Sequence, residues 1–300
     1  MILLVGADGQ LGRELSASLG VLGHLSRWTV GNMDLADPDL ESRLAGVELP
    51  GLKAVVNAAA YTAVDRAESE EDVAYRVNAR GAELLAGLAE RHGAAFVHYS
   101  TDYVYGGSKA GPYTEEDEPA PLNAYGRTKL AGDRLSMAAC PRHIVFRTSW
   151  VFSQTGACFP RTVYNLARTR DSLEMDCTQR GAPTSTELLA AVTLLALRGV
   201  LGRGPAAWGL YHLVSSGEAT WLEFSRHIVS RAAELGLPVR LGPGAITPRS
   251  VPDLSRPAVR PLNSVLSTGK AEETFGIALP NWTYYADRFV EGLRYQADLR

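Results

Sequence analysis

Tyr125 and Lys129 stand four residues apart in Tyr125-Gly-Arg-Thr-Lys129. That spacing puts two side chains on one face of a helix. A phenol ionises near pH ~10, and a neighbouring ammonium favours the phenolate, so the pair is a candidate proton donor and acceptor near neutrality. The same spacing also occurs on solvated helix faces and is not specific by itself. It gains meaning from Ser100-Thr101-Asp102-Tyr103 upstream and from a glycine-rich loop at the start of the chain.

That loop is Gly6-Ala-Asp-Gly9-Gln10-Leu11-Gly12, directly after the apolar run Ile2–Val5. Glycines three apart permit a tight turn, a close approach of backbone to a pyrophosphate, and close helix–strand packing. The helix that opens there offers unpaired N–H groups and a positive dipole end to phosphates. Nucleotide choice is read after the second strand. Val30-Gly31-Asn32 holds no acid for a ribose 2′-hydroxyl, which leans toward NADPH over NADH and leaves both open. Asp34, beside Leu35, fits either an adenine contact or a turn aspartate.

The elements that must position these groups alternate. Strands are expected at Ile2–Val5, Trp28–Val30, Leu52–Ala58, Ala95–Ser100 and His143–Arg147. Helices are expected at Gln10–Leu19, at Ser69–His92 with Asn78 in its middle, and around Tyr125. This is the βαβ rhythm of an α/β fold, a Rossmann-like doubly wound parallel sheet. Past Arg147 the rhythm changes: helices at Phe159–Arg168, Thr186–Leu197, Leu222–Leu235, Lys270–Gly276 and Trp282–Tyr295, a strand at Gly209–Leu213, and an irregular stretch Leu237–Pro261 holding six of the 16 prolines. The expected division is a dinucleotide-binding body at 1–148, with segments returning at about 185–215. A smaller C-terminal substrate-binding lobe takes 149–184 and 216–300, over the carboxyl edge of the sheet.

With 300 residues the chain can bury a large core. Its net charge of −3 gives no basic field to attract nucleic acid or an anionic membrane. No apolar run approaches the ~20 residues of a membrane span, and the N-terminus does not read as a signal peptide. Cys140, Cys158 and Cys177 form neither an even set nor a C-x-x-C pair, so reduced thiols and a cytoplasmic location are expected.

Together with Gly6–Gly12, four strings carry a resemblance: Asn57-Ala-Ala-Ala-Tyr-Thr-Ala-Val-Asp-Arg-Ala-Glu68, His98-Tyr-Ser-Thr-Asp-Tyr-Val104, Tyr125-Gly-Arg-Thr-Lys-Leu-Ala-Gly132 and Phe146-Arg-Thr-Ser-Trp-Val151. Gly181-Ala-Pro-Thr184, Gly209-Leu-Tyr-His-Leu213 and Arg260-Pro-Leu-Asn-Ser264 extend it over nearly the whole chain. They resemble the extended short-chain dehydrogenase/reductases and, within them, the dTDP-4-dehydrorhamnose reductases. The resemblance implies NAD(P)H-dependent reduction of the 4-keto group of a dTDP-sugar, most closely dTDP-4-dehydro-L-rhamnose. It makes Tyr125 the proton donor to O4, and Thr101 a hydrogen-bond donor to the same oxygen. Lys129 then lowers the tyrosine pKa and binds the nicotinamide ribose. Ala58, Ala59, Ala60 and Thr62 close over adenine and ribose, or pack closely for structural reasons. Asp102, Tyr103, Trp150, Arg260 and Asn263 are the implied substrate contacts, and His98 reads as a satisfied core histidine. Dehydratases of the superfamily carry Glu after Thr-Asp; Tyr103 stands there instead, which favours a simple reductase.

Departures from the family pattern at Tyr105-Gly106, Cys158, Thr178 and Val259 flank the substrate site and leave another dTDP-6-deoxy sugar open. A non-catalytic NADP-binding regulatory subunit of the same fold is a second alternative, which the complete Thr101, Tyr125 and Lys129 set disfavours. Some members form homodimers around Mg2+ held by glutamates. Glu14 and Glu187 match two of those positions and Gly292 falls on the third, so the site reads as incomplete.

Overall fold

The computed structural model describes residues 1–202, 207–250 and 256–298. Its centre is a six-stranded, all-parallel sheet whose strands, from one edge to the other, begin at Gly209, His143, Ala95, Ala54, Ile2 and Leu25. The chain enters at β1 (Ile2–Val5), α1 (Gln10–Ser18) and β2 (Leu25–Trp28), then α2 (Leu40–Ala45) and β3 (Ala54–Asn57). Next come α3 (Val64–Ala67), α4 (Glu71–Tyr75), a π turn at Arg76–Arg80, α5 (Gly81–Arg91) and β4 (Ala95–Thr101). After a 3-10 turn at Asp102–Val104 come α6 (Ala124–Ala139) and β5 (His143–Thr148).

Strands β1, β3 and β4 are buried at every residue. They read as unbroken apolar runs because a parallel sheet is covered on both faces. Side chains alternate between two layers: Ile2 and Leu4 join the core under α1, while Leu3, Val5 and Val55 join the core under α2 and α5. Strand order reverses between β1 and β3, and a doubly wound sheet opens a ligand crevice at the carboxyl ends of such strands.

The remainder contains β6 (Val151–Phe152), α7 (Phe159–Ala167), β7 (Leu173–Asp176), β8 (Arg180–Gly181), β9 (Thr184–Ser185) and α8 (Thr186–Leu201). It ends with β10 (Gly209–His212), β11 (Ala219–Thr220), α9 (Trp221–Glu234), β12 (Ile246–Arg249), α10 (Gly269–Phe275) and α11 (Trp282–Asp298). Strand β10 returns to the main sheet beside β5.

Three expectations shift. The second strand lies earlier than Trp28–Val30, because Asn32 Oδ1 accepts from Thr29 N at 2.7 Å and Met33 N bonds Thr29 O, which turns the chain there. Ser69–His92 is helical from Glu71 to Arg91, but its middle turn, Arg76–Arg80, is π instead of α. Asn78 sits in the π turn, where its Oδ1 accepts from Tyr61 N at 2.8 Å and its Nδ2 donates to Tyr61 O and Thr128 Oγ1, both at 3.1 Å. Leu237–Pro261 is not wholly irregular, since β12 pairs in parallel with β7; its part at 251–255 lies outside the described residues.

Candidate active site

A cavity of about 630 Å³ opens at the carboxyl ends of β1, β3 and β4. The glycine loop forms one wall. Gly6 has φ 76°, and a Cβ there would lie 2.6 Å from Ala59 N, so only glycine lets the loop and the Ala58–Ala60 segment touch. Gly12 does not line the cavity; a Cβ on it would come 1.9 Å from Gly6 O, which makes it the close-packing glycine of the turn. Gly9 caps α1 with no side-chain partner, leaving the first N–H groups of the helix toward the cavity. Gln10 and Leu11 line it too, although the Gln10 amide also donates to Ala157 O and accepts from Ser153. Asp34, Leu35, Ala58, Ala59, Ala60 and Thr62 complete this half. Asp34 satisfies the turn reading as well, because its Oδ1 accepts from Ala36 N at 2.8 Å.

The other half carries the chemistry. Thr101 ends β4 and Tyr125 begins α6, whose start is capped by Asn123 Oδ1 accepting from Gly126 N. Thr101 Oγ1 donates to Asp102 Oδ1 at 3.0 Å and accepts from Tyr103 N, and the Thr101 hydroxyl draws the Tyr125 pKa down against burial. Tyr103 meets Tyr125 edge to face at 5.8 Å between centroids. Burial pushes Asp102 up to about 6, against the hydroxyls of Ser264 and Thr101, which draw it down.

Lys129 is buried and aimed at β4: Nζ donates to Tyr99 O at 2.6 Å and lies 3.3 Å from His98 Nε2. Burial brings it down to about 8. Burial raises Tyr125 above its ordinary value, against the Thr101 hydroxyl, which draws it down, and Lys129 Nζ is directed to the strand backbone.

Sequence reasoning missed what stands behind Lys129. One helical turn on, buried Asp133 accepts from Arg147 Nε at 3.1 Å. Arg147 NH1 donates to Tyr105 Oη at 2.7 Å, and that hydroxyl lies 2.7 Å from His212 Nε2. The signal was present in the i, i+4 spacing from Tyr125 to Lys129 to Asp133.

Trp150 lines the cavity with φ 46° and stacks on Trp221, a residue the sequence did not single out, at 3.6 Å between centroids. Arg260 and Asn263 do not line the cavity. Arg260 is bound bidentately to Asp65 at 2.6 and 2.7 Å, and the Asn263 amide donates to Lys109 O and Gly111 O.

Burial raises Glu14 above the usual carboxylate range, and the Glu187 charge adds to that. Their counter-charge is a guanidinium: Arg288 Nε donates to Glu187 Oε2 at 2.8 Å. Gly292 itself has no side chain to supply a third carboxylate. Hard divalent ions need several oxygens, and no group of three potential metal ligands occurs among the described residues. The residues do not fit Mg2+. No helix among the described residues is long and apolar enough to cross a membrane.

Residues 1–295 match the family model described as RmlD substrate binding domain. The chain is 40% identical to dTDP-4-dehydrorhamnose reductase of Escherichia coli K12 over 97% of both chains. It superimposes on the crystal structure of a dTDP-4-dehydrorhamnose reductase from Clostridium acetobutylicum with a TM-score of 0.87, at 34% identity over 98% of this chain and 99% of the other. A Bacillus anthracis dTDP-4-dehydrorhamnose reductase, solved in complex with NADP, gives a TM-score of 0.84 at 27% identity over 96% and 97%. Sequence, fold and the glycine-loop cavity agree: the chain belongs to the dTDP-4-dehydrorhamnose reductase family.

Proposed function

We propose that this protein is a cytoplasmic NADPH-dependent reductase that converts the 4-keto group of dTDP-4-dehydro-L-rhamnose to the alcohol of dTDP-L-rhamnose. The observation that carries this reading is that one cavity is lined both by a dinucleotide-type glycine loop and by Thr101, Tyr125 and Lys129. Residues 1–148 with 185–215 serve as the dinucleotide-binding body, and 149–184 with 216–300 as the substrate lobe. Bound NADPH supplies the hydride for C4.

The side chains supply the rest. The Tyr125 hydroxyl gives its proton to O4 as charge builds there, and the Thr101 hydroxyl donates to the same oxygen. A phenol kept protonated by burial suits a donor. Asp102 receives a sugar hydroxyl, and Lys129 holds the nicotinamide ribose. The aromatic wall of Trp150 and Trp221 covers the sugar and excludes water. Arg260 reaches the pyrophosphate by exchanging Asp65 for phosphate, a geometry its planar fork fits equally well, and Asn263 supports that segment of the lobe.

The test is oxidation of NADPH and NADH by the purified protein with dTDP-4-dehydro-L-rhamnose formed in situ. NADPH oxidation with dTDP-L-rhamnose as product is expected. Folded protein that binds NADPH yet leaves it unoxidised would overturn the reading.

A further inference from the structure

His98 is buried completely between Asn57 and Lys129. The orientation of the Asn57 amide is fixed by the backbone: Oδ1 accepts from Ala59 N at 3.1 Å, and a backbone N–H can only donate. Asn57 Nδ2 therefore faces His98 Nδ1, 3.2 Å away, and that ring nitrogen must accept. A neutral imidazole carries one proton, and burial holds His98 neutral. The proton is thus on Nε2, the atom 3.3 Å from Lys129 Nζ. An N–H and an ammonium are both donors and cannot satisfy each other. A neutral amine can, by accepting from Nε2–H while donating to Tyr99 O.

We infer that Asn57 locks His98 as the Nε2–H tautomer, that His98 thereby disfavours the ammonium of Lys129, and that dinucleotide binding takes up a proton at Lys129. His98 is a positioning residue: it acts on the cofactor only through the lysine. The inference rests on the ribose contact proposed above for Lys129, because ribose hydroxyls are the acceptors that favour the ammonium. The other ionisable groups around Nζ are Tyr125 and Asp133 on α6 and Arg147 on β5. Asp133 alone pulls toward the ammonium, and Arg147 at 3.1 Å offsets its charge. Burial brings the lysine to about 8 in the same direction as the donor conflict. The sign follows: binding that raises the lysine pKa tightens as pH falls. With one proton linked, the NADPH Kd rises roughly fivefold from pH 8 to pH 9.

Two measurements test this on the full chain. Long-range 1H–15N NMR of the imidazole reads the tautomer without ligand, and calorimetry of NADPH binding at pH 9 in buffers of different ionisation heat reads the proton uptake. The Nε2–H pattern with uptake approaching one proton per site is expected. The Nδ1–H pattern, or no uptake, overturns the inference. If Lys129→Met also weakens NADPH, that failure leaves the ribose contact standing; an unchanged Kd in Lys129→Met would instead remove the contact itself. Asn57→Asp supplies a reversed control. A carboxylate accepts from both Ala59 N and His98 Nδ1–H, so the tautomer inverts and the fivefold pH dependence is lost.

Discussion

Trp150 and Trp221 stack with centroids 3.6 Å apart and planes 7° from parallel. Trp150 sits on the turn between β5 and β6, Trp221 is the first residue of α9, and Phe159 leans on Trp221 at 4.3 Å. A Cβ on Gly181 would fall 2.6 Å from the Trp150 ring. One indole is therefore wedged between Gly181 and Trp221, and its left-handed backbone is held there by packing. Aromatic pairs contribute about 0.5–1.5 kcal/mol beyond burial. Trp221→Ala is expected to raise the KM for the nucleotide sugar roughly threefold to tenfold, with a smaller change in kcat. Steady-state kinetics with an unchanged sugar KM would remove this wall from the substrate site.

Tyr125→Phe keeps the edge contact with Tyr103 and deletes only the hydroxyl. Loss of a positioned general acid costs ~10²–10⁴ in rate. A kcat lower by that factor, with an NADPH Kd within about twofold of wild type, is expected from turnover and fluorescence titration. Near-normal turnover would exclude Tyr125 as the proton donor.

Asp102 carries a stability cost tied to its burial. Its folded value of about 6 lies above the 3.8 of an exposed aspartate, so the folded state binds the proton more tightly. Wild-type stability falls as pH rises from about 4 to about 6 and stays lower above that, by an amount on the order of 2–3 kcal/mol. Asp102→Asn keeps an acceptor for Thr101 and has no charge to bury. Urea unfolding should show the two proteins alike near pH 4 and the variant more stable at pH 7, while sugar reduction falls. Stability curves that stay parallel across this range would show that the carboxylate is not desolvated.

The Glu14–Glu187 pair is neutralised internally by Arg288. Melting temperature and activity should therefore be the same in EDTA and in millimolar Mg2+. A rise of several degrees with Mg2+, seen by differential scanning fluorimetry, would mean that a cation displaces the guanidinium.

Most of the sheet was legible because its strands are short, apolar and bounded by glycine or polar turns. Ile2–Val5 and His143–Thr148 are visible in that pattern alone. The glycine loop and the Tyr125–Lys129 spacing were legible from residue type and position, while Thr101 joined them only through the family resemblance. What the sequence hid depends on partners far along the chain. The π turn at Asn78 exists because its amide meets Tyr61 and Thr128, 17 and 50 residues away. Strand β12 forms only because β7 lies alongside. The direction of Lys129, toward Tyr99 O and His98, follows from how α6 packs on β4, which helix periodicity does not reveal. Arg260 looked like a phosphate ligand because guanidinium suits phosphate, yet Asp65, 195 residues away, presents the same paired oxygens.

The most direct test of the central claim is the fate of the transferred hydride. The protein would be given NADPH carrying deuterium at the transferable C4 position, with dTDP-4-dehydro-L-rhamnose, and the product analysed by NMR and mass spectrometry. The account predicts one deuterium per molecule of dTDP-L-rhamnose, at sugar C4. A product without deuterium, or with deuterium at another carbon, would contradict it.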